Sequence, residues 1–431
     1  MQVTRRIRAA RIPADRHEAG KVTSGGHFSF FVIDALNAPS AREVQLQIRR
    51  RLPLLLALLL ALLGASAVPA AAAPPNPAAG CETLAVTYQI SVSHDGCSSD
   101  STIVPPLAQR WLRDFAGPVS YPLIADGRVF VTVADNDGFG TTLYALDQAT
   151  GATLWSQAIS GTPWSTAAYD AGRVFVVNFD GVLRRFDPAS GEPAWAVQLP
   201  GQFVFTSPPT ADGGVVYTGG AGSGGTLYAV SESDGAVLWT QPVSNGDSSS
   251  PALSATDVFV SYACGLVYAF DRTSGQLRWF NDGPCSGGGG KTAVYHADRV
   301  YSRDFFGNEI LDASTGSLRG TFQAGPAPAF AGKIGLFLNG STLQATSGRR
   351  TLWTFSGDGG LVTAPIVVGS TVFVGSSSGM LYGLDLRGGR IVWSTNVGAG
   401  LSGSDDGLGG LGAGQGLLVV PAGNRLAAYG S

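Results

Sequence analysis

The sequence predicts an all-β fold: an eight-bladed β-propeller of four-stranded antiparallel blades, with the ring closed by the N-terminal strand. Three observations carry this. First, a strand–turn–strand frame, seen at Leu143–Trp155, recurs with a Trp eight residues after the residue that opens its turn. The pairs are Asp147 and Trp155, Asp187 and Trp195, Ser231 and Trp239, Asp271 and Trp279, Ala345 and Trp353, and Asp385 and Trp393. Second, the copies start about 40 residues apart, save for one short interval between Asp312 and Ala345, and such a period with several strands per unit means a propeller or an array. A degenerate copy runs from Asp312 to Gly320, with the Trp missing. Third, the two ends are incomplete in complementary ways. Gln109-Arg110-Trp111 lies in the Trp register without strands before it, whereas Gly416–Tyr429 gives two strands and stops before a Trp strand. Joining them completes a blade and leaves no open sheet edge. Positions 111, 155, 195, 239, 279, 320, 353 and 393 then mark eight blades.

Composition agrees. Sixty Gly, 10% aromatic and 14% charged residues among 431 suit many short strands joined by tight turns. Each unit is too short to bury a core alone, so the repeats form one body rather than two or three separate domains. Net charge is −3, but residues 1–51 hold ten of the 28 Lys and Arg and four of the 31 Asp and Glu. The remainder is acidic, with 18 basic and 27 acidic side chains. An acidic body argues against nucleic-acid binding, which needs basic surface to neutralise phosphates.

Taken in order, residues 1–43 are Arg-rich and aperiodic, and are read as a non-native or disordered extension, with translation starting near Val44. Residues 44–73 carry Arg49-Arg50-Arg51, an apolar run at 52–63 and small residues to Ala73, the order of a secretory signal peptide. That run is short for a membrane span, so the mature protein is expected to lack one and to be secreted or periplasmic. Residues 74–103 read as a linker with a small disulfide loop, and 104–431 as the propeller. Cys81, Cys97, Cys264 and Cys285 are an even set. In an oxidising compartment they imply two disulfides, with Cys81–Cys97 and Cys264–Cys285 favoured because each closes a short loop.

Within each unit the strand order is legible. A segment centred on Pro or Ala, such as Tyr121-Pro122 or Ser250-Pro251, is the innermost strand. An apolar strand such as Arg128–Thr132 or Thr371–Gly375 follows, then the Leu-Tyr-Ala-Leu-Asp type strand, and the Trp strand lies outermost. Trp111, Trp155, Trp195, Trp239, Trp279, Trp353 and Trp393 are expected to dock blade on blade. An indole spans such a gap and brings an N–H for a backbone carbonyl. The turn Gly allows close approach and φ > 0, and the turn Asp and Thr bond its amides.

The frame Ala-x-Asp-x-x-Thr-Gly-x-x-x-Trp, matched in full by Ala145, Asp147, Thr150, Gly151 and Trp155, resembles the docking motif of the pyrroloquinoline quinone (PQQ)-like repeat of quinoprotein-type propellers. The resemblance spans roughly 104–431. It implies the fold strongly and the function weakly, because that family holds PQQ-dependent dehydrogenases, a lipoprotein scaffold of outer-membrane barrel assembly and many secreted sensors. PQQ enzymes of this fold commonly use adjacent Cys, a Trp floor, a catalytic Asp and Glu/Asn ligands for a metal. This chain has no adjacent Cys, and its Glu residues past Gly80 stand at 82, 192, 232 and 309, at turns or ahead of the ring. The reading is therefore a non-catalytic scaffold for an envelope protein, peptide or small ligand. It is expected to be monomeric, without cofactor or metal; PQQ with calcium belongs to the alternative, a quinoprotein sugar or alcohol dehydrogenase.

Other motifs yield structural readings. Beside His94, Asp95 and Cys97 stand too few ligands for a transition metal, and Asp135–Gly138 lacks the later acidic positions of a calcium loop. Gly375–Gly379 fits Gly-x-Ser-x-Gly around Ser377, but between two strands rather than strand and helix. Gly219–Gly225 opens no helix and so is no phosphate loop. Binding is placed at the channel mouth, where residues just before the innermost strands gather: Tyr121, Trp164, Phe205, Asp247, Lys291, Asp405 and Asp406.

Overall fold

The computed structural model describes residues 81–136, 138–282, 290–304, 307–403 and 409–431. They belong to one compact unit, 74–431. Residues 1–43 and 44–73, read above as an extension and a signal peptide, lie outside the described residues, as do Asp137, Cys285, the Cys264 side chain, Asp405 and Asp406.

Eight antiparallel four-stranded sheets form the eight blades. In blade 1 the strands are Leu123–Ala125, Arg128–Ala134, Thr141–Asp147 and Thr153–Ile159, from the axis outward. Blades 2 to 7 repeat this order. Blade 8 takes Gly412–Gly414, Leu417–Ala422 and Arg425–Gly430 from the C-terminus and its outer strand, Ala108–Asp114, from the N-terminus. This is the closure the complementary ends predict.

Burial follows position in the blade. Val129 to Val133 are all buried, because this strand is covered on both faces by neighbouring blades. The outer strand Thr153–Ile159 instead alternates between exposed and half-buried residues from 154 to 158 and ends on buried Ile159. Each outer strand also carries a bulge one residue before the Trp position: Leu146 pairs with Thr153 but Ala145 with Trp155. The bulge re-aims the next side chain toward the adjacent blade.

Seven junctions are stapled by Trp. Trp111 donates its indole N–H to the Gln148 carbonyl of blade 1 at 2.8 Å. Trp155, Trp195, Trp239, Trp279, Trp353 and Trp393 do the same to Pro188, Glu232, Arg272, Ala313, Leu386 and Leu107 of the next blade, at 2.8–3.1 Å. In the six staples from Trp111 to Trp353 the indole packs against the turn Gly of the next blade. Gly151 has φ +70, and a Cβ there would stand 2.6 Å from Trp111 Cδ2, so only Gly gives both the left-handed turn and the room. Asp147 holds that turn by accepting from the Thr150 amide at 2.9 Å and its hydroxyl at 2.6 Å.

Candidate functional site

The central channel is where ligands and partners of a ring-shaped fold converge, and here the chain fills part of it itself. The inner strands are short, often three residues, and direct amides toward the axis that no strand pairs. Residues 85–100 satisfy them blade by blade, in order round the ring. Ala85 exchanges two bonds with Ile124 of blade 1, and the Val86 carbonyl accepts from Tyr169 of blade 2. The Thr87 hydroxyl donates to Pro209 O of blade 3 at 2.9 Å. The carbonyls of Val92, Ser93, Asp95 and Gly96 accept from Leu253, Tyr295, Phe330 and Val367 of blades 4 to 7, at 2.8–2.9 Å. Asp100 Oδ2 then accepts from the Gly416 amide of blade 8 at 2.6 Å. Cys97–Ser98 adds a parallel fifth strand to blade 7.

This plug lies within 74–103, the stretch read above as a linker with a small disulfide loop. The expected Cys81–Cys97 disulfide is present and ties the segment into a loop. The segment holds left-handed backbone at Gln89, Ile90 and His94, and for a β-branched residue such as Ile90, at φ +72, that conformation persists only under tight packing. His94 lies at its heart, fully buried. Its Nδ1 faces the Tyr88 carbonyl at 2.7 Å and its Nε2 the Pro251 carbonyl at 3.0 Å. Burial pushes the imidazole down to about 4, against the pull of those carbonyls and Asp95. His94 and Cys97 are thus structural parts of the plug.

The mouth residues fall into two groups. Tyr121, Trp164 and Phe205 are buried. The Tyr121 hydroxyl donates to Ala167 O at 2.5 Å, and its ring meets Tyr88 of the plug edge-on. Phe205 wedges against Gly181 and Gly220, where a Cβ would clash with its ring. These three aromatics brace blade contacts rather than gathering at a surface. Asp247 and Lys291 are half-buried and lie on adjoining backbone, where the Gly290 amide donates to the Asp247 carbonyl at 3.2 Å. Asn245 and Ser248 flank Asp247 with φ +52 and +56, and Asn245 Nδ2 donates to Asp247 Oδ1 at 3.0 Å. Burial raises the Asp247 carboxyl above the usual carboxylate range, against its hydrogen bonds. Of the expected mouth residues that are described, Asp247 and Lys291 are thus the two that stay partly exposed.

The remaining motifs resolve locally. Ser376 and Ser378 both donate to Asp358, leaving the Gly-x-Ser-x-Gly stretch a hairpin turn. Gly219–Gly225 joins the strands Val215–Ala221 and Gly225–Ser231. Among the described residues, no three His, Cys, Asp or Glu are grouped so as to hold a metal ion.

The plug is a feature that sequence reasoning missed. Its one advance sign, the spacing of Cys81 and Cys97, marks a loop but not where the loop docks.

A family model described as outer membrane protein assembly factor BamB matches residues 107–159 and 263–428. Curated proteins of that description are similar. The one from Nitrosomonas eutropha is 26% identical over 185 residues, 41% of this chain and 43% of that protein. The one from Yersinia pestis is 24% identical over 243 residues, 54% of this chain and 56% of that protein. The chain thus spans about half the length of the curated relatives it matches. Among solved structures, BamB from Moraxella catarrhalis aligns with TM-score 0.59 at 18% identity, over 75% of this chain and all of that one. A quinohemoprotein alcohol dehydrogenase from Comamonas testosteroni aligns with TM-score 0.65 at 12% identity, over 81% of this chain and 80% of that one. Both likenesses concern the fold.

Proposed function

The chain belongs to the outer membrane protein assembly factor BamB family, and from that premise we propose that it is a non-catalytic propeller scaffold of the cell envelope. Its role is to hold a protein or peptide partner rather than to turn over a substrate. The observation that carries this is the plug. A length of the channel from Ala85 to Ser98 is occupied by the chain's own buried residues, hydrogen-bonded to successive blades. Recognition is then left to the loops at the ring's two faces. At the end where the inner strands begin, Asp247 and Lys291 are the half-buried polar residues of this reading, and its Asp405 and Asp406 lie outside the described residues. Loops held on a rigid scaffold are where such contacts are commonly placed.

Export follows the same reading: residues 44–73 act as signal peptide and the mature chain works outside the cytoplasm, as a monomer. The family relatives bear the name of an assembly factor, which favours a protein partner over a small ligand.

The test is a crosslinking pull-down from the envelope fraction, run beside titration of the purified protein with PQQ and calcium and a dye-linked assay on alcohols and aldose sugars. The scaffold reading expects a crosslinked protein that is lost in the Asp247→Ala, Lys291→Ala double variant, and no saturable quinone binding. Tight PQQ binding with turnover abolished by Asp247→Ala would establish the quinoprotein dehydrogenase instead.

A further inference from the structure

One junction of the eight lacks its Trp. At the staple position of blade 5 stands Gly320, in the strand Leu318–Phe322. The facing turn of blade 6 is also reduced: Ser347 pairs directly with Arg350, so Gly348 and Arg349 alone make the turn. Both halves of the docking frame are therefore absent together. A Cβ at Gly320 would approach nothing closer than Ile310 Cδ1 at 3.9 Å, and a Cβ at Gly348 would meet nothing within 4 Å. At the flanking junctions, by contrast, a Cβ on Gly316 or Gly389 would stand 2.5 Å from an indole carbon.

The space so freed is a cleft of about 1000 Å³ between blades 5 and 6. That is the upper end of ordinary ligand pockets and leaves room for more than one side chain. Its apolar lining comes from Tyr301, Phe330 and Phe337, which contact one another at 4.5–6.5 Å between ring centres. At its inner end His296 stacks on Phe330 at 4.5 Å and reaches Asp95 of the plug. Its rim is cationic: Arg299, Arg319, Lys333 and Arg349 line it, and its described lining includes no Asp or Glu. Only Arg319 of these is in an ion pair, with Asp312 at 2.8 Å, among the described residues. Four of the 18 basic residues of an otherwise acidic body thus meet at the one described junction without an indole.

We propose that this cleft docks an extended peptide segment of a partner protein, one presenting an aromatic side chain flanked by carboxylates. At seven junctions the fold supplies an aromatic ring from a neighbouring strand to fill this place; here the ring comes from the partner. Carboxylates on either side of it meet the guanidinium and ammonium groups of the rim, which steer the encounter and fix its orientation. The cleft opens on the face that carries the turns after the first and third strands of each blade. That face is opposite the Asp247 and Lys291 connections, so this site stands independently of the one proposed there.

The experiment is calorimetric titration of the full mature chain with the acetylated peptide amide Glu-Asp-Ser-Trp-Ser-Asp-Glu. The expected result is saturable binding that weakens as salt is raised. Ala in place of the peptide's Trp should weaken it at least tenfold, and so should Lys333→Glu with Arg349→Glu. Gly320→Trp should fill the cleft with the chain's own indole, keep or raise the thermal midpoint and abolish binding. The charge reversals fall on exposed side chains, so they decide the matter even if the Trp variant misfolds. Absence of saturation, equal affinity for the Ala peptide, or unchanged binding in the charge-reversed protein would overturn the proposal. So would indole-3-acetate binding as tightly as the peptide, which would make the cleft a small-molecule site.

Discussion

Trp393 donates its indole N–H to the carbonyl of Leu107, 2.9 Å away, across a sequence separation of 286 residues. Its ring also meets Phe373 and Tyr429 edge-on. This staple crosses the seam where the N-terminal strand completes blade 8. It therefore works in parallel with the ladder between Ala108–Asp114 and Arg425–Gly430.

Trp393→Ala should cost about 3–5 kcal/mol, the range for removing a large packed aromatic. Its distinguishing sign is aggregation, because a loosened Ala108–Asp114 strand exposes the edge of Arg425–Gly430. Denaturant midpoints together with light scattering check this. Trp155→Ala, away from the seam, should lower the midpoint without raising the scattering.

Breaking the Cys81–Cys97 disulfide should loosen the plug while leaving the blades folded. The bridge spans 16 residues, and a loop of that size constrains the unfolded chain by about 3 kcal/mol. In a Cys81→Ser, Cys97→Ser protein the amides of Tyr169, Leu253, Tyr295 and Val367, which donate to plug carbonyls, should exchange faster. Amides between the second and third strands of each blade should keep their protection. Equal acceleration everywhere would mean the plug and ring unfold as one.

Blade number, strand order, the seam and the Trp staples were all legible in the sequence, because each rests on a repeat: one bulge, one turn and one indole used again and again. The indole of Trp155 lies over Gly191 of the next blade, not over Gly151 of its own motif; spacing names the residues but not which copies meet. The plug was illegible for the opposite reason. Residues 85–100 occur once, carry no periodicity, and take their shape from backbone groups of all eight blades, from Ile124 to Gly416. Tyr121, Trp164 and Phe205 precede inner strands, as a mouth requires, yet burial of their apolar surface draws them between blades. The open cleft at Gly320 had a visible sign, a missing Trp beside a shortened interval, but its basic rim comes from three separate hairpins and an outer-strand bulge.

The contrast between two turn glycines gives a further test. Gly389 has φ +67 and would place a Cβ 2.5 Å from Trp353 Cδ2, whereas Gly348 has φ +58 and open space. Gly348→Ala should cost only the left-handed backbone, about 1–2 kcal/mol. Gly389→Ala must displace the indole as well, adding about 1–3 kcal/mol of overpacking. Chemical denaturation of both variants measures the difference, and equal losses would mean the Trp353 ring yields freely.

Two buried groups should make stability respond to pH in opposite senses. His94 is held down to about 4 by burial, from a usual 6.5. The unfolded chain therefore takes up a proton between pH 6.5 and 4 that the folded protein refuses, and stability falls as pH falls through that window. Glu232 is buried, and burial, with Asp170 nearby, raises its carboxyl although Arg173 pairs with it at 2.9 Å. The folded protein retains that proton where the unfolded chain has lost it, so this contribution is present below pH 4.5 and is lost as pH rises above it through the raised folded pKa. Each slope is about 1.4 kcal/mol per pH unit at full effect, and between pH 4.5 and 6.5 the two oppose each other. His94→Asn suits the left-handed φ of +58 there, and relative to the parent it should make stability fall more steeply with rising pH. Glu232→Gln should make stability rise with pH over the same window. Urea midpoints of the parent and both variants at pH 4.5, 5.5 and 6.5 decide it. Parallel curves for all three proteins would show that neither group titrates differently in the folded and unfolded chain.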